Sequence, residues 1–233
     1  MATQLDIANL PKLPASATNC LLAGWIGNFA LVGSGGDPGV NFLINTNGFG
    51  IAANVNFSGT VAQWSISGVN NDVSVIFASN ANIAMDISVG WTSFAFSIDS
   101  SSQLVQILIN RTLYVPSGGN NNWIGSGNMD FNPTTDPWRL SIFNSDGTGN
   151  VDLSDLRFHA GEGFFDLSVT TNQNKLFDVN NNPVNWGSDG SVVTGIVPAV
   201  YLHGNASTYA NNLGSGGAFT LSGTTPTTAI GPD

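Results

Sequence analysis

The acid–base chemistry open to this chain rests on a few side chains: one glutamate, Glu162, the aspartates Asp152 and Asp155 in the run VDLSDLRF, and two histidines, His159 and His203. Retaining glycan hydrolysis needs one carboxylate as nucleophile and a second as general acid, about 5–5.5 Å apart. Asp152 and Asp155 are the nearest thing to a spaced acidic pair. Strand periodicity is two, so residues three apart are expected on opposite faces, a poor arrangement for a dyad. The histidines lie far apart in sequence and have no local base–nucleophile pattern around them. No catalytic residues are expected, and both histidines read as ordinary surface or edge residues.

Metal chemistry is little better supplied. Calcium takes six to eight oxygens, several of them carboxylates. The loop oxygens that could converge on one ion are Asp37, Asp99, Asp136, Asp146 and Asn150. There is no EF-hand-type run, and DGTGN at 146–150 is more simply a glycine-assisted turn. No cofactor is expected, calcium being the one metal these residues suggest. The remaining recognition chemistry is aromatic: Trp123 and Phe131, with Asn121 and Asn122 beside the first, lie in SGGNNNWIGSGNMDFNPTTDP (117–137). A stretch this long between regular elements is usually functional. Its two rings either fold back to cap an edge of the fold or face a sugar or a neighbouring subunit.

The composition describes what must position these groups. The chain has 233 residues, 42% of them hydrophobic, enough for a full core in one domain. Only 9% are charged, against roughly 25% in ordinary soluble proteins. Asn, Ser, Thr and Gly suit exposed strand faces and turns and are poor helix formers, so helix should be scarce. The net charge is −10, and Lys12, Arg111, Arg139, Arg157 and Lys175 form no basic stripe, so nucleic acid is not an expected partner. MATQLDIANL has neither a cationic start nor a continuous apolar run, and no segment approaches the roughly 20 apolar residues of a membrane helix. Synthesis in the cytoplasm without a signal peptide, and no membrane contact, are the expectations. Cys20 is a lone cysteine beside two leucines and reads as a buried thiol, while the sequons at Asn56, Asn110 and Asn205 are expected to be bare.

Alternation assigns the elements. Trp91–Asp99 (WTSFAFSID) with Leu104–Asn110 (LVQILIN), and later Trp138–His159, read as consecutive strands joined by polar turns into hairpins. Leu21–Ile26 with Phe29–Val32 suggest a first strand pair, and Asn47-Gly48 a tight hairpin between Asn41–Ile44 and Phe49–Val55. Val61–Val69 and Val73–Ala78 flank another turn, Asn82–Val89 adds a short strand, one short helix fits within Asp166–Phe177, and Ala199–His203 and Ala218–Ser222 read as strands. Trp25, Trp91, Phe94, Phe96, Ile107 and Leu156 are expected to share the core between two sheets.

These segments, closing on GNVDLSDLRF, resemble the laminin-G-like, concanavalin A-like jelly roll. The resemblance implies an all-β fold, a two-sheet jelly-roll β-sandwich, and the proline-broken ends outside it read as extended N- and C-terminal arms. The chain is then expected to have four parts: a proline-punctuated arm over 1–19, the sandwich over 20–160, an extension over 161–223 packed on or completing it, and a polar tail over 224–233. Glucanases of this fold share an E-x-D-x-x-E-like strand motif that is missing here, and some relatives hold calcium at the sandwich rim. The later block, KLFD, PVNWGSDGSVVTG, PAVYLHG and GSGGAFTL, resembles a tail recurring in bacteriophage and prophage virion proteins. It implies a noncatalytic virion component, such as a capsid decoration, head spike or tail-associated protein. A carbohydrate-binding, receptor-binding module is the alternative, with a host-surface glycan as ligand; a glycan-degrading enzyme comes third. Isolated apolar residues at the ends, Leu5, Ile7, Leu10, Leu13 and Ile230, then read as assembly arms contacting other virion proteins or other copies, with a trimer as the guessed oligomer.

Overall fold

The computed structural model describes residues 3–7, 16–30, 38–44, 50–54, 61–70, 74–84, 90–115, 121–123, 128–131, 138–144, 150–223 and 231–232. Sixteen strands are assigned: β1 (Thr3–Ile7), β2 (Ser16–Ala17), β3 (Asn19–Ala30), β4 (Pro38–Ile44), β5 (Gly50–Asn54), β6 (Val61–Asn70), β7 (Ser74–Ala84), β8 (Trp91–Asp99), β9 (Leu104–Ile109), β10 (Thr112–Tyr114), β11 (Asn121–Trp123), β12 (Met129–Asp130), β13 (Trp138–Asn144), β14 (Asn150–Ala160), β15 (Val200–Leu202) and β16 (Thr220–Gly223). Among the described residues one short α-helix, α1 (Thr170–Leu176), follows β14, and a single 3-10 turn covers Tyr209–Asn211. The eight-stranded sheet runs β11-β7-β6-β5-β4-β13-β1-β16 and the six-stranded sheet β10-β9-β8-β3-β14-β15, with β2 and β12 as a separate pair. All pairings are antiparallel, giving the all-β jelly-roll sandwich that the alternating segments imply.

Several expectations change in detail. The expected break after Ile26 is absent, and β3 is one continuous strand. Trp138–His159 is not a hairpin: β13 lies in the larger sheet and β14 in the smaller, so the segment crosses between sheets. The N-terminal segment is not a free arm over its first residues. Leu5 pairs with Leu140 on one side and Leu221 on the other, and Ile7 pairs with Trp138, so β1 is an interior strand of its own sheet. A five-residue strand satisfies its backbone on both sides here, which removes the need for a partner's surface. Leu10, Leu13 and Ile230 lie outside the described residues.

The six-stranded sheet is covered on both faces over most of its area, and its two faces have different chemistry. Cross-strand register puts Leu22, Phe94, Phe96, Ile98, Ile107, Leu156 and Phe158 on one face, all essentially inaccessible. Leu21, Ala23, Trp25, Ala95, Leu108 and Tyr201 lie on the other, packed with Leu167, Leu176, Phe177, Trp186 and Val193 from the segment that follows β14. Trp25 and Trp91 therefore do not join Phe94 in one core. Positions 91 and 94 differ by three in a strand and must face opposite ways.

Polar groups dock the C-terminal segment on this second face. Gln106 receives the Leu167 amide at Oε1 (2.6 Å) and donates from Nε2 to Asp166 (2.9 Å). Arg111 sits with Asn110 in the two-residue turn between β9 and β10, both at positive φ (63° and 46°). That conformation is costly for arginine. It lets the guanidinium donate to the Phe177 and Asp178 carbonyls (2.7 and 2.9 Å) at the end of α1, where a cation complements the helix dipole. Cys20 is buried, and burial pushes its thiol strongly upward, leaving it an inert apolar residue.

Candidate functional site

The β14 strand carries four ionisable side chains, Asp152, Asp155, Arg157 and His159, and a bulge decides where they point. Ser154 pairs with Trp25 and Arg157 with Ala23, so three steps along β14 match two along β3. Asp155 takes up the extra residue at φ 48°, a left-handed conformation that short polar side chains tolerate best. Alternation is thereby broken. Asp152, opposite Gly27, keeps the second face, and Asp155 turns to His203, just beyond β15, instead of pointing away from Asp152 as strict alternation requires.

Asp155 Oδ1 meets His203 Nδ1, and Asp155 Oδ2 accepts from Ser154 Oγ (3.0 Å). The His203 ring stacks on Tyr201 with centroids 5.7 Å apart and planes 12° from parallel, while its side chain stays 55% exposed. Behind Tyr201 a series of rings leads into the core: Trp186 at 6.1 Å, Phe177 at 6.5 Å from Trp186, and Trp25 edge-on at 5.3 Å from Phe177. Burial first, then the Asp155 carboxylate, raise the pKa of both Tyr201 and Tyr209 far above the usual phenol range, and the Tyr209 hydroxyl is buried with no partner among the described residues. The base of β15 is fixed as well. Asn212 Oδ1 accepts from the Tyr201 amide (2.8 Å) and the Leu213 amide donates to the Tyr201 carbonyl (2.8 Å), which closes this sheet edge to strand addition.

The other ionisable residues of β14 are structural. Arg157, fully buried, donates from Nη2 to both oxygens of Glu162 (3.0 and 2.9 Å) and to Thr194 Oγ1 (2.7 Å), and from Nε to the Gly190 carbonyl (3.3 Å). The chain's one glutamate is thus held in a buried ion pair. His159 Nδ1 accepts from the Ala199 amide (2.9 Å), so its proton sits on Nε2, 3.9 Å from Glu162. Burial lowers the His159 pKa, with Glu162 opposing and Arg157 reinforcing that shift. It is a buried interface residue rather than a surface one.

The residues singled out in sequence scatter. Phe131 is 2% exposed, with its ring 6.1 Å from that of Phe158, and belongs to the interior rather than a contact surface. A large apolar ring between strands is best satisfied by the neighbouring core. Asn121, Asn122 and Trp123 form β11 on the edge of the larger sheet; their side chains lie outside the described residues. Asp99 accepts from the Ser101 amide and hydroxyl and from Ser102 Oγ in the β8–β9 turn; burial pushes its pKa up, but these bonds outweigh it and lower it. Asp99 pairs near Asn19 and Asn150 near Ala30, opposite ends of β3, about 36 Å apart by strand rise, so these two calcium candidates cannot share an ion. Asp37, Asp136 and Asp146 lie outside the described residues, among which no group of three or more metal-binding side chains occurs. Sequence reading missed the Asp155–His203 pair. Its one signal is Tyr201-x-His203, a strand spacing that puts both rings on one face.

No family model matches the chain, and no curated protein does. Solved structures with a similar trace include the binding domain of botulinum neurotoxin serotype D (10% identity, TM-score 0.46, covering 78% of this chain and 43% of that one). Others are sheep galectin-11 in complex with glycerol (7%, 0.34, 66% and 95%) and a heptameric SAP-like pentraxin from Limulus polyphemus (13%, 0.32, 68% and 77%). The chain spans about a third to two-fifths of the toxin chains among these matches. No helix among the described residues is long and apolar enough to cross a membrane.

Proposed function

We propose that this protein is a noncatalytic, lectin-like binding module whose ligand is a carbohydrate. The observation that carries this reading is the His203 ring, exposed over more than half its side chain yet held by a stack on Tyr201 and by Asp155. A fixed imidazole edge beside a carboxylate offers a donor and acceptors to sugar hydroxyls at little ordering cost. The same geometry speaks against hydrolysis. Glu162 is consumed by Arg157, and Ser154 Oγ donates to Asp155 rather than to His203, so this neighbouring hydroxyl is not lined up with the imidazole as a base. On this reading the module works on a phage particle, as the resemblance of its C-terminal block implies.

The test is a glycan array probed with the full chain, followed by calorimetry on the sugars retained. Binding that His203→Ala and Asp155→Asn abolish, with an unchanged circular dichroism spectrum and no release of reducing ends, is the expected result. An array without hits, or hits indifferent to both substitutions, overturns the reading.

A further inference from the structure

A second aromatic position on the same face is Trp91 of β8, level with Asp152 at the other end of the exposed part of β14. Asp152, Gly27 and Trp91 form one cross-strand row over β14, β3 and β8. Gly27 has no side chain, and the Trp91 indole occupies that space: a Cβ on Gly27 would stand 2.8 and 2.9 Å from two of its ring carbons. The ring is thus laid across the sheet toward Asp152 instead of standing upright from it. Trp91, Asp152 and Ser154 are all partly exposed, Trp91 also packing against the edge of the buried cluster, whereas the adjoining Trp25 is sealed by Phe177. The C-terminal segment therefore covers the middle of the face and leaves the end at Trp91, Asp152 and Ser154 partly accessible.

From Trp91 to His203 is three strand spacings across and about three residues along, about 17 Å. That exceeds what a single sugar ring can bridge. An aromatic face offers a stacking surface for the C–H side of a pyranose, and Asp152, Ser154 and Asp155 offer hydroxyl partners along the way. Two carboxylates here, on a chain of net charge −10, oppose acidic glycans.

We propose that the second face along β14, from the Trp91 ring over Gly27 to His203, is one extended surface for a linear, neutral oligosaccharide. The inference rests on the carbohydrate reading and specifies its ligand class.

Calorimetric titration of the full chain with malto-, cello- and chito-oligosaccharide ladders, from disaccharide to hexasaccharide, tests it. For at least one ladder, affinity should rise with length and then level off. Trp91→Ala and Asp152→Asn should weaken the longest member about threefold to tenfold while leaving the disaccharide nearly unchanged, a stacking-sized effect. Asp152→Asn, isosteric, keeps the test valid if Trp91→Ala fails to fold. Should a ladder bind and respond to His203→Ala but show no dependence on length, Trp91 or Asp152, this inference fails and the carbohydrate reading stands. If no ladder binds at any length, this inference fails; the array decides the broader reading independently.

Discussion

The two faces of the six-stranded sheet are both largely buried, by different means. The first is lined by Leu22, Phe94, Phe96, Ile98, Ile107 and Phe158, apolar side chains that need only a dry surface opposite. The second mixes its rings with Arg157, His159, Gln106 and Ser93, and most of their polar atoms are met by a specific atom of the C-terminal segment. Apolar burial is indifferent to orientation, whereas hydrogen bonds fix it. The second face therefore specifies how the C-terminal segment lies, and so where the surface of β14 stays open.

Substitutions on the two faces should separate these modes. Phe94→Ala, on the apolar face, should cost about 4 kcal/mol in urea unfolding, as large-to-small core changes do. A loss below about 1 kcal/mol would put Phe94 outside the core. Arg157→Ala strands a buried Glu162 and should cost about 3 kcal/mol, much of it regained when Glu162→Gln is added, since an unpaired buried charge is the main penalty. Simple additivity of the two changes would show that the ion pair is not what holds the segment. Trp91→Ala, at the partly exposed margin, should cost less, about 2 kcal/mol.

A pH series sharpens the same contrast. Burial holds His159 neutral, with Nδ1 accepting from Ala199, so its folded pKa lies below the unfolded value of about 6.5. Its contribution is complete above that pH and is lost as pH falls toward the folded value. The urea midpoint should drop between pH 7.5 and 5.5, and His159→Gln should flatten that drop. An equally steep drop in the variant would assign the proton uptake elsewhere. The smallest expected change is Arg111→Gly, about 1 kcal/mol: relief of the positive φ is outweighed by lost bonds to the end of α1. A stabilised variant would mean that the clamp contributes nothing.

Sequence alternation made most strands legible, because period-two patterns such as WTSFAFSID and LVQILIN translate directly into β8 and β9. It could not show which strands share a sheet: β13 and β14 look like a hairpin locally, and only non-local pairing separates them. Reading β1 as an arm failed for the same reason, since its partners are 131 or more residues away in β13 and β16. The site was hidden by one residue. Strict alternation sends Asp152 and Asp155 apart, and the bulge at Asp155, which no local residue pattern announces, brings the second carboxylate to His203.

The two histidines give the most direct measurement, because one is buried in the docking interface and the other is exposed at the proposed binding surface. Side-chain nitrogen NMR of the full chain should show two sets of imidazole signals, His159 fixed with its proton on Nε2 and His203 open to solvent. On titration with a neutral glycan taken from the array, the His203 signals should move to saturation while those of His159 stay in place. Saturable binding that leaves His203 unmoved would contradict the assignment of this surface as the binding site.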